Sequence, residues 1–257
     1  CNATNPCIDH ALTDSLMNAG CAVHWLVESD FSGVLPLARR QQLNSFDIVV
    51  LSPFLVASSL DKPSFAALTV PLLVLNAAAA FQLDLVPSSS SVATVPQSTQ
   101  LKRSALTGSS VVFSPVATIP AAATINVLSG SAQAVSNTGF TTNGIVLGRA
   151  ADANTEPLIV WWQSTPAAPA KPYSTASITL NHRAMFFAAG SASGSGSLNA
   201  NGTALLNSAL PLLLSCPALS TPAHGTLDVL TIGLRGDQRN FGCSTGYTRA
   251  GPATLTC

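Results

Sequence analysis

Two short, nearly continuous apolar runs limit what this chain can fold into more than any other feature. They are Phe46-Asp47-Ile48-Val49-Val50-Leu51-Ser52 and Val70-Pro71-Leu72-Leu73-Val74-Leu75. Neither alternates polar with apolar, so each reads as a strand covered on both faces. Strands of that kind belong to parallel sheets flanked by helices, and the expected fold class is α/β: three layers, doubly wound, with a mainly parallel sheet. Residues 53–68 would form the crossover. A hydrolase of this layout sets its nucleophile on the tight strand-to-helix turn after the second run. Asn76-Ala77-Ala78-Ala79-Ala80 stands there, with no Ser, Cys or Gly. The fold class is therefore legible while the expected chemistry is missing.

Charged residues make up only 9% of the 257 positions and the net charge is zero, against about 25% charged in an ordinary domain. That balance gives no electrostatic case for nucleic acid or an anionic membrane. A surface built largely from Ser, Thr, Ala, Asn and Gln is poorly protected against association. It suits a chain covered by glycans or by neighbouring subunits; an Ala-biased genome would produce the same composition. No membrane span is expected, because the most apolar stretch, residues 65–86, is interrupted by Pro71, Asn76, Gln82 and Asp84. The sequence starts without Met or a signal peptide, which reads as a processed form or a fragment. Cys1 as a lipidated anchor is an alternative with no second feature behind it.

The cysteines fall in two clusters, Cys1, Cys7 and Cys21, then Cys216, Cys243 and Cys257. No C-x-x-C pair occurs, which argues against a zinc ribbon or a redox motif. Two N-glycosylation sequons, Asn2-Ala3-Thr4 and Asn201-Gly202-Thr203, join the clustered Cys in favouring a secreted or surface protein. No cofactor is expected. No metal site is expected either, since His10, His24, His182 and His224 share no ligand spacing.

In chain order, residues 9–19 predict a helix that Asp9 caps and Gly20 ends, with Leu12 and Leu16 on one face. Ala22-Val23-His24-Trp25-Leu26-Val27 predicts a strand. Residues 30–44 read as a connection with Arg39 and Arg40 solvated. Residues 87–157 read as an irregular β-rich insertion carrying short strands at 111–113, 125–128 and 145–147. Its tip, Ser88 to Ser91, is flexible or carries O-glycans. Leu158-Ile159-Val160-Trp161-Trp162 and Ala184-Met185-Phe186-Phe187-Ala188 are further strands, and residues 190–196 a flexible loop. Residues 201–210 predict a helix with Leu205, Leu206, Ala209 and Leu210 on its core face, which Pro211 should kink or end.

The order of the apolar runs, then Arg183-Ala184-Met185-Phe186-Phe187, a loop, and Leu198-Asn199-Ala200-Asn201-Gly202-Thr203-Ala204-Leu205-Leu206-Asn207, resembles the class I glutamine amidotransferase-like fold in its ThuA-like extracellular relatives. The resemblance covers about residues 8–214 and implies a flavodoxin-like sheet, with the α/β domain ending at 215. Catalytic members carry a Cys in a Gly-flanked elbow; Asn76 and the alanines replace it, so no catalytic residue carries over.

A second resemblance rests on Cys216-Pro217-Ala218-Leu219, Pro222-Ala223-His224-Gly225-Thr226, Asn240-Phe241-Gly242-Cys243-Ser244-Thr245-Gly246-Tyr247, Gly251 and Leu255-Thr256-Cys257. Residues 216–257 look like an incomplete sushi (complement control) module, a small disulfide-bonded all-β unit. The resemblance implies a Cys216–Cys257 bond by first-to-third pairing. The chain stops at the module's third Cys, leaving Cys243 without its family partner. Cys7 and Cys21 are not expected to pair, because a helix of about ten residues rising about 1.5 Å each would hold them about 15 Å apart.

Trp161 and Trp162 could stack on a sugar, although in an apolar run at least one belongs to the core. Asp47 has no catalytic partner, and Tyr173 beside the Pro-rich loop is no better placed. The leading expectation is a non-catalytic extracellular structural or assembly subunit of a glycosylated surface filament. Its copies would associate head to tail, with Cys243 of one bonding Cys1, Cys7 or Cys21 of another. A carbohydrate-binding or adhesion module is the alternative. A hydrolase with a displaced site has no supporting constellation.

Overall fold

The computed structural model describes Thr13, Asp14, Leu16, Met17, Leu26 and residues 22–24, 28–53, 55–87, 93–95, 100–103, 124–137, 140–151, 156–166, 168–189, 198–214, 225–227, 238–243 and 254–256. It divides the chain into two units, Cys1–Leu213 and Leu214–Cys257. The first is mixed α/β. Both apolar runs form strands, β1 (Val49–Leu51) and β2 (Leu72–Val74), paired in parallel. Between them lies the expected crossover, a 3-10 turn at Ala57–Ser59 and then α2 (Lys62–Ala66). Asp61 caps α2 by accepting from the Ser64 N–H, and Pro63 fits its first turn, where no N–H is needed.

Seven strands make the main sheet in the order β1-β2-β9-β8-β7-β4-β5, with β4 at Gln100–Arg103, β5 at Thr124–Asn126, β7 at Ile145–Ala150, β8 at Pro157–Trp162 and β9 at Ala184–Phe187. The sheet is mixed. It is parallel across β1-β2-β9 and antiparallel from β9 through β5. Residues 87–157, read as a β-rich insertion, supply β4, β5 and β7 to the main sheet. Only β3 (Ala93–Val95) and β6 (Ala132–Ala134) form a separate two-stranded ladder. The expected strand at 111–113, the serines at 88–91 and the 190–196 loop lie outside the described residues.

Three expectations need correction. Ala22, Val23, His24 and Leu26 pair with no strand; the His24 ring instead lies 5.6 Å from that of Phe46, ahead of β1. Ala22 and Leu26 are exposed, so the apolar composition of the segment is not used for burial in a sheet. Residues 37–44, read as connection, form helix α1 (Leu37–Asn44). The sequence Leu-Ala-Arg-Arg-Gln-Gln-Leu is made of strong helix formers, and Pro36 fixes its start. Arg39 keeps partial solvent exposure while lying 3.2 Å from Asp30 and 5.5 Å from the Phe31 ring centroid. Arg40 is half-buried, with its Nε out of water. Lastly, the helix expected over residues 201–210 does not end at Pro211 but runs on as α4 (Ala200–Leu214), the last described helix. Close by, Arg183 Nη1 donates to the Leu212 and Leu213 carbonyls at 3.4 and 3.3 Å. These charge-assisted bonds hold the helix end beyond the proline.

The core gathers around β2 and β9, whose residues are all buried, joined by Leu205, Leu206, Ala209 and Leu210 of α4 as expected. At the sheet's two ends lie β1 and β5. Val49 and Leu51 spend backbone groups on the β2 side, since Val49 N–H donates to Pro71 and Leu75 N–H to Leu51. Val50, in register with Leu73, therefore turns its backbone groups away from β2, on the side where no described strand pairs with β1. The second unit, taken by itself, opens on the last residue of α4 and is otherwise all-β among its described residues: β10 (Gly225–Leu227), β11 (Gln238–Cys243) and β12 (Thr254–Thr256) in one antiparallel sheet.

Candidate functional site

The strand-to-helix turn expected after the second apolar run is present. β2 ends at Val74, and α3 (Ala77–Gln82) starts three residues later. At the turn Asn76 is only 1% exposed. Its Oδ1 accepts from the Ala79 N–H at 3.0 Å, capping α3, while Nδ2 donates to the carbonyls of Pro53 at 2.9 Å and Leu55 at 3.1 Å. Its backbone is ordinary extended chain, φ −121° and ψ 120°, without the strain of a nucleophile elbow. An amide does not titrate, and both amide hydrogens are committed. Asn76 therefore ties the β1-side loop to the start of α3 and presents nothing to a substrate.

The described histidines lie elsewhere. His24 sits by Phe46, ahead of β1. His182 sits ahead of β9, with Nδ1 3.1 Å from the Leu68 carbonyl, just before β2. Both lie at the amino ends of the parallel strands, opposite the turn that Asn76 occupies. His182 is 2% exposed, and its Nε2 is buried with no partner. Burial pushes its imidazole down to about 4, against the smaller upward pull of the Leu68 carbonyl. Asp47 is exposed just ahead of β1.

The two tryptophans face different surroundings. Trp162 is 3% exposed and donates its indole N–H to Thr142 Oγ1 and to the Pro172 carbonyl, both at 3.1 Å. A Cβ on Gly144 would come within 2.7 Å of that indole nitrogen, so Gly144 is small because Trp162 needs the room. Trp161, on the opposite face of β8, is half-buried with its indole nitrogen out of water and unpartnered. Of this pair, only Trp161 stays partly exposed; Trp25 lies outside the described residues.

Asn201 is exposed in the first turn of α4. Cys243 ends β11 opposite Gly225. Asn2, Cys1, Cys7, Cys21, Cys216 and Cys257 lie outside the described residues, as do His10 and His224.

One polar constellation had no sequence signal. Asp84, just past α3, adopts φ 59°, a left-handed backbone that Asp tolerates better than most residues. Its Oδ1 accepts from the Tyr173 hydroxyl, and its Oδ2 accepts from the Ser177 N–H at 2.6 Å and the Ser177 hydroxyl at 2.5 Å. Burial pushes the carboxyl up, but the bonds from Ser177 and Tyr173 and the Lys62 charge hold it below its ordinary value. Burial, then Asp84, raises the Tyr173 phenol. The clasp joins α3 to the 173–177 loop. Among the described residues no group of His, Cys, Asp and Glu could hold a metal ion, and no helix is long and apolar enough to cross a membrane.

Compared with protein-family models, with curated proteins and with solved structures, the chain matches none.

Proposed function

We propose that this chain is a non-catalytic structural or assembly subunit of an extracellular, glycosylated surface filament. The observation that carries the reading is Asn76: a side chain with both amide hydrogens spent on backbone fills the position where a fold of this layout keeps its nucleophile. In this reading the first unit is a three-layer, doubly wound, amidotransferase-like domain that has lost its elbow chemistry. The second is a sushi-like module with Cys216 bonded to Cys257. A surface so poor in charge and an outward-facing β1 edge favour association. Copies join head to tail, with Cys243 of one bonding Cys1, Cys7 or Cys21 of another, and such heterologous contacts build rings or filaments rather than closed dimers. Electron microscopy of the purified protein, with gels run with and without reductant, tests this. Filaments or rings and a ladder that reductant collapses support it. Lone monomers at every concentration in both lanes overturn it.

A second reading, a carbohydrate-binding module, draws on the half-buried Trp161 ring. Glycan-array binding that Trp161→Ala abolishes would favour it.

A further inference from the structure

Asn126 ends β5, the outermost strand of the main sheet. Its register partner on β4, Gln100, accepts from the Ala151 N–H at 2.7 Å, on the β7 side. In an antiparallel ladder the N–H and C=O of one residue point the same way, so Gln100 and Asn126 are a non-hydrogen-bonded pair. The Asn126 carbonyl therefore points out of the sheet. There it accepts from two side-chain amides, Asn199 Nδ2 at 3.0 Å and Asn201 Nδ2 at 3.3 Å. Asn199 is further committed: Oδ1 takes the Gly202 N–H at 3.0 Å, and its own N–H goes to Val127 at 3.1 Å. Gly202 lies so close to β5 that a Cβ there would stand 2.2 Å from the Val127 carbonyl. The first turn of α4 is thus clamped against the outer side of β5, the last strand of the main sheet among the described residues, with Asn201 exposed at the clamp.

We propose that Asn201 carries an N-linked oligosaccharide that shields the β5 edge, leaving sheet-edge association to β1. The proposal rests on the extracellular reading above. Asn201-Gly202-Thr203 is an acceptor sequon, and its amide has the hydrogens the chemistry needs. One goes to Asn126; the other is lost when Nδ2 attacks the anomeric carbon of an oligosaccharide held on a lipid pyrophosphate. A C–N bond forms and the C–O bond to pyrophosphate breaks. The lipid pyrophosphate leaves with the electron pair, and the proton passes to the transferase. Asn76, buried with both hydrogens used internally, could not carry a sugar in the folded chain. A branched, hydrated chain beside Asn126 keeps a second strand from lining up on β5, as edge charges and bulges do elsewhere.

The test expresses the full chain behind a cleavable secretory leader in a eukaryotic host, with an added control sequon. Glycosidase release in heavy-oxygen water followed by peptide mass mapping reads occupancy, and sedimentation reads size. Asn201 is expected to be occupied. Thr203→Ala, which keeps the Asn201 amide, should lose the glycan and shift the chain to larger species, and adding Thr124→Lys on β5 should reverse that shift. Enzymatic deglycosylation of the folded wild type should give the same shift without a mutation. An unmodified Asn201 beside an occupied control overturns the proposal. So does an occupied Asn201 whose removal leaves the size distribution unchanged. Failure of the assembly reading looks different: the glycosylated wild type stays monomeric while Thr203→Ala still associates.

Discussion

Tyr173 donates its phenolic hydrogen to a carboxylate oxygen of Asp84, 89 positions earlier in the chain. The second oxygen of the same carboxylate holds both the N–H and the hydroxyl of Ser177. Asp84→Ala removes all three bonds and leaves a left-handed backbone with no side chain suited to it. Hydrogen bonds to a charged group are worth about 1.5–3 kcal/mol each before non-additivity, so we expect a loss of about 2–4 kcal/mol in urea unfolding. Asp84→Asn, which keeps two acceptor lone pairs and tolerates positive φ, should lose about half as much.

The same carboxylate predicts an acid limb. Its folded-state pKa lies below the unfolded value. The stabilisation is therefore present above the unfolded value and lost as pH falls through the folded one. The wild type should weaken more steeply than Asp84→Asn in unfolding titrations carried below pH 4.

His182 acts over a higher window. It is neutral when folded, with its value pushed down to about 4 from 6.5. As pH drops below the unfolded value, the unfolded chain takes up the proton first, so stability falls between about pH 6.5 and 4. The slope approaches about 1.4 kcal/mol per pH unit at the steepest. His182→Leu should flatten this part of the urea-midpoint profile, whatever its cost at neutral pH.

Gly202→Ala tests the clamp on β5 and keeps the sequon. Ala is the better helix former by about 1 kcal/mol, but its Cβ would stand 2.2 Å from a backbone carbonyl. Overpacking against an unyielding group costs about 1–3 kcal/mol, so the net change should be destabilising, read as a lower melting temperature.

Asn76→Ala removes the α3 cap, worth about 1 kcal/mol, and also strands the buried Pro53 carbonyl. We expect a loss of about 2–3 kcal/mol in denaturant unfolding. Asn76→Asp keeps the cap but turns a buried carboxylate oxygen against the Pro53 and Leu55 carbonyls, so near neutral pH it should cost at least as much as Asn76→Ala.

What the sequence disclosed follows from how local each signal is. β1, β2, β8 and β9 announce themselves as apolar runs, and the buried stripe of α4 follows the helical period. The Leu37–Asn44 helix was hidden because Arg-Arg-Gln-Gln carries propensity without apolar periodicity. Residues 22–26 look strand-like, yet an apolar side chain does not by itself supply a pairing partner. Joining β4, β5 and β7 to the main sheet is a matter of long-range register, which leaves no mark on neighbouring residues. The Asp84 clasp spans 89 and 93 positions and was invisible for the same reason. Asn76 was legible as the residue in the elbow position, but its service as a cap and a loop tie required the contacts of Pro53 and Leu55.

The place of β9 between β2 and β8 has a consequence for biosynthesis. β2 is wholly buried in the finished sheet, yet the strand that covers its far edge comes from residues 184–187. At about 5–20 residues per second, the ribosome leaves the Leu72–Val74 edge bare for on the order of ten seconds. During that interval a nascent chain holds a parallel pair that cannot yet close, next to neighbours in the same state. A chaperone that binds short apolar strands would find its substrate here, and slowing translation between β2 and β9 would lengthen the exposure.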